Sequence, residues 1–389
     1  MALESVEIIR RRLEERPGEI EAARKKGLKV AGWQGYILPE EIIYALGFIP
    51  VRIGAGGDDR FFEIGSRYVS AKSCAVDSET AGIFADNKDF YIKNTDFLVF
   101  DATCLQTPRT AEILKYYFQK NVLLLGVPRN FQWPEAQKYF TRELEYFVEK
   151  LEELAGSRLE ETKLRRAVSL YNNIRLLIRR IYDYRAERQH LISWNEVHEI
   201  INAGYFLDRK EYQALLEGVL QELEAVRGGE IDGKDADEAR IFISGSVIPT
   251  EAHELINIIQ KYGGTIVGDD LWSESIPSLG VHIEEESLEG LASAYLNRTY
   301  PDELPYLELN TQKRTVRLKA LMQKFQAQGV IYHTLRHCDP YAVKAKEIKD
   351  VLVEEGIPLL EIQTEFTRWD YRALSTKVET FVEMIKDRA

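Results

Sequence analysis

Short apolar runs that alternate with helical patterns are the feature that most restricts how this 389-residue chain can fold. Runs with the length and composition of buried strands occur at Phe97–Phe100, Val122–Leu125, Ile241–Ile243, Thr265–Val267, Val330–Tyr332 and Pro358–Ile362. The i, i+3, i+4 apolar spacing of amphipathic helices occurs at Glu251–Tyr262, Val316–Gln328, Tyr341–Glu355 and Tyr371–Asp387. Strands and helices in regular alternation form parallel sheets with right-handed crossovers. We therefore predict an α/β fold with doubly wound, Rossmann- or flavodoxin-like parallel sheets.

The alternation occupies the two ends of the chain, which indicates two α/β domains with helices between them. The predicted division is residues 1–134, with Cys74 and Cys104, then a helical connector or subdomain at 135–237, then residues 238–389, with Cys338. The connector is dense in Leu, Glu, Arg and Lys at helical spacing. It ends in the segment RGGEIDGKDAD, whose glycines and acidic residues are typical of a linker.

Charge and hydropathy exclude several classes of protein. The formal net charge is −12 and the pI is near 5.3, so no basic field is available to bind a nucleic acid backbone. No apolar run is long enough to cross a bilayer, and the first fifteen residues lack the apolar core of a signal peptide. We expect a cytoplasmic protein whose partners include neither nucleic acid nor membrane.

Two of the three cysteines lie where open α/β sheets place their ligands, just beyond the carboxyl end of a strand. Cys104 follows the run Phe97–Asp101 and precedes Thr107–Pro108, which reads as an N-cap and the first helical residue. Cys338 also follows an apolar run, and Asp339–Pro340 opens the next helix. The partial positive charge at a helix N-terminus favours a thiolate, so both positions suit reactive or ligating sulfur.

The third cysteine, Cys74, precedes a helix start that we place at Asp77 or Ser78. The three cysteines are far apart in the sequence, which excludes the local Cys-x-x-Cys ligation of ferredoxins. The residues alone leave three interpretations open: inert buried thiols, a shared metal or cluster site, and a single catalytic nucleophile. Three thiolates would leave one iron of a 4Fe-4S cluster free for an external ligand.

Four further segments carry a family resemblance. Leu38–Val51 resembles an N-terminal signature and Gly268–Leu271 an Asp-Asp-Leu segment. His337–Pro340 is similar to a third cysteine motif and Leu374–Phe381 to a closing helix. All belong to the 2-hydroxyacyl-CoA dehydratase and benzoyl-CoA reductase superfamily, which the chain resembles from about Gly32 to Ile385.

This resemblance implies a cofactor and a partner. Cys74, Cys104 and Cys338 match the family's three motif cysteines, which bind an iron-sulfur cluster. Such chains have two α/β domains, work in pairs and receive low-potential electrons from a separate ATP-hydrolysing iron-sulfur activator. The absence of a P-loop here fits that division of labour, because Gly228-x-x-x-x-Gly233-Lys234 is followed by Asp235 where a Ser or Thr is needed.

The number of cysteines indicates a branch of the superfamily. Family dehydratases commonly have a further Cys after the Asp-Asp-Leu segment, where this chain has Trp272, and the residues leading into the last helix, Arg372–Lys377, also differ. A chain with only three cysteines resembles the double-cubane cluster proteins, in which two identical subunits each supply three cysteines to half of an 8Fe-9S cluster. We therefore expect a homodimeric iron-sulfur reductase of small, inert molecules.

The same cysteines leave other functions open. One alternative is a subunit of a 2-hydroxyacyl-CoA dehydratase or benzoyl-CoA reductase with one 4Fe-4S cluster per chain. The others are a non-catalytic iron-sulfur carrier and a metal-free α/β binding protein.

Four residues near the motifs are candidates for catalysis. His337 and His333, beside and upstream of Cys338, are candidate proton donors, with ordinary packing or capping as the alternative. Tyr36 and Glu40 lie in the first signature, where the family places substrate-side residues. Glu40 has the alternative role of capping the helix that Pro39 begins.

Overall fold

The computed structural model describes residues 3–35, 37–54, 56–131, 133–187, 191–226, 238–249, 254–271, 280–297, 311–365 and 371–388. The predicted linker at 227–237, the P-loop-like segment within it, Tyr36 and Trp272 lie outside these ranges. The described residues form two four-stranded sheets in which every strand pair is parallel. The prediction of two doubly wound α/β sheets is therefore confirmed.

The N-terminal sheet has the strand order β2-β1-β3-β4. Its strands are β1 (Val30–Gln34), β2 (Ile49–Arg52), β3 (Phe97–Asp101) and β4 (Val122–Leu125). The helices that connect them are α2 (Glu40–Ala45), α3 (Asp59–Gly65), α4 (Ala75–Asp86), α5 (Phe90–Asn94) and α6 (Gln106–Phe118). The strand order reverses between β1 and β3, which is where such sheets bind ligands.

The C-terminal sheet repeats this plan with the order β6-β5-β7-β8. Its strands are β5 (Ala239–Gly245), β6 (Gly264–Leu271), β7 (Gly329–Leu335) and β8 (Leu359–Thr364). Its helices are α11 (Glu254–Lys261), α12 (Leu288–Asn297), α13 (Thr311–Lys324), α14 (Asp339–Glu354) and α15 (Tyr371–Lys386).

The remaining helices lie before and between the sheets in the sequence. They are α1 (Glu4–Lys25), α7 (Ala136–Ala155), α8 (Glu161–Glu187), α9 (Trp194–Gly204) and α10 (Arg209–Val226). Helix α8 contacts both halves of the molecule: Arg175 bonds Glu41 of α2, whereas Arg185 donates to the carbonyl oxygen of Ile266 in β6. One long helix therefore ties the two sheets together.

Both faces of the sheets are buried, as expected for a doubly wound fold. In β3, Phe97 and Val99 point into the core beneath α7 and α8, whereas Leu98 and Phe100 point into the core on the α6 side. Packing also crosses between the halves of the sequence. Ile9 of α1 shares a core with C-terminal strands, and Tyr295 of α12 packs in the core of the N-terminal sheet.

Some element boundaries differ from the sequence prediction. The helix predicted at Val316–Gln328 runs instead from Thr311 to Lys324. It ends there because Gln326 takes a left-handed φ of 49°, which stops the helix. Strand β2 contains Pro50, which a strand tolerates at the edge of a sheet, and β2 is an edge strand.

Among the residues that the structure describes, no helix combines the length and the apolar character needed to cross a membrane.

Candidate functional site

The three cysteines line one cavity of about 620 Å³, part of which is open to solvent. Cys104 follows the end of β3 and Cys338 follows the end of β7. Each of these strands pairs with the first strand of its sheet, so each cysteine lies at the point where the strand order reverses. The cavity therefore joins the ligand-binding edges of the two sheets.

Two of the cysteines occupy the N-cap position of a helix. Cys74 precedes α4, which begins at Ala75 and so starts earlier than the predicted Asp77 or Ser78. Cys338 precedes α14, whose first turn contains the predicted Asp339–Pro340 pair. Neither sulfur makes a capping hydrogen bond to its helix.

The Cys104 sulfur is held by the first turn of α6. The Thr107 N–H donates to Cys104 Sγ at 3.3 Å, and Thr107 Oγ1 lies 3.0 Å from the same sulfur. Helix α6 begins at Gln106, one residue before the predicted N-cap at Thr107, and Thr107 thus lies inside the helix. Hydrogen bonds from a helix N-terminus stabilise a thiolate at this position.

The surroundings of Cys74 and Cys104 favour their protonated forms. A hydrogen bond with Cys338, burial and the charge of Asp77 raise the pKa of Cys74 well above its usual value. Burial raises the pKa of Cys104, against the opposing effect of Thr107. These thiols therefore need a positive group to become thiolates, which is what a bound metal provides.

The arrangement of the three cysteines around one cavity is compatible with a cluster. Within the described ranges, no three His, Cys, Asp or Glu side chains converge closely enough to bind one metal ion, as zinc would require. In an iron-sulfur cluster each cysteine binds a different iron, so the sulfurs surround a volume instead of meeting at a point. Three thiols on the wall of one cavity satisfy that requirement.

An acidic residue that the sequence pattern did not single out also lines the cavity. Asp77 lies in the first turn of α4, and its side chain is only 6% exposed. Its Oδ1 accepts a hydrogen bond of 2.7 Å from Thr110 Oγ1, whereas its Oδ2 is buried with no hydrogen-bond partner among the described residues. Burial raises the pKa of Asp77 to about 6. The sequence feature that could have identified Asp77 is its position three residues after Cys74, which places it about one helical turn from that cysteine.

The two candidate histidines lie in different places. His337 lines the cavity and takes a left-handed φ of 63°, a strained conformation often found at functional sites. His333 is buried in β7, where its Nε2 lies 2.8 Å from Thr364 Oγ1. Burial lowers the pKa of His333 to about 4, and it is not among the described residues that line the cavity.

Glu40 lines a second cavity that adjoins the first, and Gly35 borders both. Glu40 Oε1 accepts a 2.5 Å hydrogen bond from Arg209 Nε and another from the Tyr171 hydroxyl. The Glu40 carboxylate is therefore engaged in a buried ion pair with α10 and a hydrogen bond with α8. The other candidate of the signature, Tyr36, lies outside the described residues.

Comparison with known proteins identifies one family along nearly the whole chain. The model of the family described as 2-hydroxyglutaryl-CoA dehydratase, D-component, matches residues 36–385. This range includes both sheets and all three cysteines.

The curated relatives are subunits of a reductase and of dehydratases. One of the subunits of benzoyl-CoA reductase from Thauera aromatica is 24% identical, over 92% of this chain and 91% of its own length. The beta subunit of (R)-phenyllactyl-CoA dehydratase of Clostridium sporogenes is 22% identical over 92% of both chains. The beta subunit of (R)-2-hydroxyglutaryl-CoA dehydratase of Acidaminococcus fermentans is 24% identical, over 93% of this chain and 94% of its own length.

Proposed function

Because the chain belongs to the 2-hydroxyglutaryl-CoA dehydratase D-component family, we propose that Cys74, Cys104 and Cys338 bind an iron-sulfur cluster that serves reduction chemistry. One observation carries this proposal. The three cysteines, which come from opposite ends of the chain, line a single cavity where the strand order of both sheets reverses. Three thiols without a shared role would not be expected to line the same cavity.

The proposed cluster is an 8Fe-9S double cubane shared by two copies of the chain. Three thiols are present in each chain, and two chains supply the six that two cubanes joined by a bridging sulfide require. The protein then functions as a homodimer. Cys104 and Cys338 are each only partly buried in the single chain, which leaves this side of the cavity accessible to a second copy.

A cluster held by the three cysteines would supply low-potential electrons for the reduction of a small molecule, and a separate ATP-dependent activator is the proposed source of those electrons. The chain's own residues shape the reaction space. Val76, Val247 and Leu335 give the cavity apolar walls. Among the polar side chains that line the cavity, we assign Asp77 and His337 to hydrogen bonding with a small substrate.

A second candidate function is favoured by the names of the relatives, which include two dehydratase beta subunits. In that case the chain is one subunit of a heteromeric 2-hydroxyacyl-CoA dehydratase or benzoyl-CoA reductase with a single 4Fe-4S cluster. That protein binds CoA thioesters and requires a second, different chain. Saturable binding of a 2-hydroxyacyl-CoA to the iron-loaded protein in isothermal titration would favour this second candidate, because the double-cubane proposal includes no CoA thioester.

The test of cluster binding is the iron content of cysteine variants purified and reconstituted without oxygen. Each of Cys74→Ser, Cys104→Ser and Cys338→Ser is expected to weaken iron binding at least about tenfold, since even residues that only support a ligand commonly matter that much. Ser73→Ala changes the neighbour of Cys74 without removing a thiol and should retain its iron. Full iron content in any of the three cysteine variants contradicts the proposal.

A further inference from the structure

A partly buried cation lies behind the wall of the cysteine cavity on its C-terminal side. The Arg314 guanidinium carbon of α13 is 4.5 Å from the centre of the Tyr341 ring and 5.7 Å from that of Tyr332, and its Nη2 atom is buried. Tyr341 itself lines the cavity, and its N–H donates a 3.1 Å hydrogen bond to the carbonyl oxygen of Cys338. Arg314 is therefore packed against the helical turn that carries one of the three cysteines.

A buried carboxylate acts on the same cation. Asp270, at the end of β6, is 3% exposed, and its Oδ1 accepts a 3.3 Å hydrogen bond from the Gly245 N–H. Burial raises the pKa of Asp270 to about 6, against the opposing electrostatic effect of Arg314. Asp270 therefore carries its charge above about pH 7, and the opposite charges of Arg314 and Asp270 both act on Tyr332, whose ring Arg314 contacts.

The cavity wall itself carries no comparable positive charge. None of the described residues that line the cavity is a Lys or an Arg. On the opposite side Arg129 donates a 3.0 Å hydrogen bond to the carbonyl oxygen of Cys104, but its side chain is exposed. Water and salt screen an exposed charge, whereas a charge enclosed by protein atoms acts through a lower dielectric.

We propose that Arg314 and Asp270 set the reduction potential of the group that the three cysteines bind, Arg314 raising it and Asp270 lowering it. Reduction adds negative charge at the cavity, so a nearby enclosed cation stabilises the reduced form and a nearby anion destabilises it. Arg314 is thus a positioning and charge-setting residue that acts through space and through the Tyr341 turn. The inference rests on the proposed cluster binding.

The experiment is a redox titration of the iron-loaded protein at about pH 8, where both groups are charged, monitored by electron paramagnetic resonance, with iron content measured first. Arg314→Gln should shift the midpoint potential to a more negative value and Asp270→Asn to a more positive one. The double variant should return towards the wild type, and Arg314→Lys, which keeps the charge, should remain close to it. Arg129→Gln is the exposed control and should shift the potential less than either of the first two variants.

Shifts of opposite sign cannot arise from a general loosening of the fold, because loosening would move both variants in the same direction. Shifts of one sign, or shifts no larger than that of Arg129→Gln, overturn the inference while leaving cluster binding intact. If the wild type binds no iron, the proposed function fails and the inference fails with it. If Arg314→Gln does not fold, the isosteric Asp270→Asn still decides the sign.

Discussion

The two sheets share a strand order but contribute different chemistry to the cavity between them. In each, a cysteine follows the third strand of the sheet: Cys104 after β3 and Cys338 after β7. The N-terminal half adds a second thiol, Cys74, whereas the C-terminal half adds Arg314, packed behind the lining residue Tyr341, and the buried Asp270, on which Arg314 acts. A repeated topology thus fixes where ligands can lie, and the connecting segments decide which chemical groups are placed there.

The first strands of the two sheets also differ, because the glycine at the end of each strand has a different neighbour close to it. Gly35 follows β1 with a φ of 144°, and Gly245 ends β5 with a φ of 135°. A Cβ on Gly35 would lie 2.2 Å from the Asp101 side chain, whereas a Cβ on Gly245 would lie 1.8 Å from a backbone atom, the carbonyl oxygen of His333 in β7. The C-terminal strand pair should therefore be the less tolerant of the two.

The largest effect is expected for Gly245→Ala. The substitution adds backbone strain and a clash with a neighbouring strand, and we expect it to lower the free energy of unfolding by at least about 4 kcal/mol. Gly356→Ala is the control, because Gly356 also has a positive φ of 76° but has nothing within 4 Å of the added methyl. Denaturant unfolding measures both. An equal loss in the two variants would show that the close strand approach is unimportant.

The attachment of α8 provides the next test. It binds the N-terminal half through the Arg175–Glu41 ion pair, of 2.5 Å, and Glu41 is fully buried. Removing one partner leaves the other charge buried and alone, so Glu41→Gln should cost about 3 kcal/mol of unfolding free energy.

Glu153→Gln breaks the exposed ion pair with Lys150 and should cost less than about 1 kcal/mol. Similar losses in Glu41→Gln and Glu153→Gln would contradict the assigned role of the buried pair.

Each half also contains a buried carboxyl whose pKa is raised to about 6: Asp77 in the N-terminal half and Asp270 in the C-terminal half. An unfolded Asp titrates near about 3.9, so the folded chain holds these protons more tightly. The stability that they contribute is therefore highest below about pH 4 and falls as the pH rises through about 6.

In the metal-free protein, Asp77→Asn should flatten this pH dependence and add roughly 2 kcal/mol of stability at about pH 8 relative to the wild type. Asp270→Asn should flatten the same range of the curve, whereas the exposed Asp350→Asn should leave it unchanged. Chemical unfolding between about pH 4 and about pH 8 measures the effect. An unchanged slope in Asp77→Asn would contradict the raised pKa.

The smallest effects concern one hydrogen bond in each half. Thr110 of α6 donates to Asp77 of α4 at 2.7 Å, and the Tyr332 hydroxyl donates to the carbonyl oxygen of Tyr341 at 3.1 Å. Thr110→Val and Tyr332→Phe should each lower the unfolding free energy by about 1 kcal/mol. Thermal unfolding of the two variants measures these losses. A stabilised Thr110→Val would show that the hydrogen bond between α6 and α4 is dispensable for stability.

The sequence predicted the strands with long apolar runs and missed those without them. Strands β4 and β7 were identified because both of their faces are apolar, and β7 is buried along its whole length. Strand β1 was not, since it contains Gly32, whose Cβ would lie 2.3 Å from Ile53, and ends in the polar Gln34. Such a strand is specified by the close approach of its neighbours, which periodicity does not report.

Local rules predicted the positions of two cysteines, but neither the meeting of all three nor the charges around them. Strand ends and helix starts predict the places of Cys104 and Cys338. Arg314 precedes the predicted start of its helix at Val316, so the sequence pattern did not predict that protein atoms enclose its side chain. Its importance arises from Tyr332 and Asp270, which are distant in the sequence and come together only in the folded chain.

The most direct test of the central claim is the iron and acid-labile sulfide content per chain of protein purified without oxygen, measured together with its mass in solution. If two copies share an 8Fe-9S double cubane, we expect about four irons and slightly more than four sulfides per chain in a homodimer. A protein that contains neither iron nor sulfide after anaerobic reconstitution would contradict that claim. So would a monomer that carries its full complement of iron.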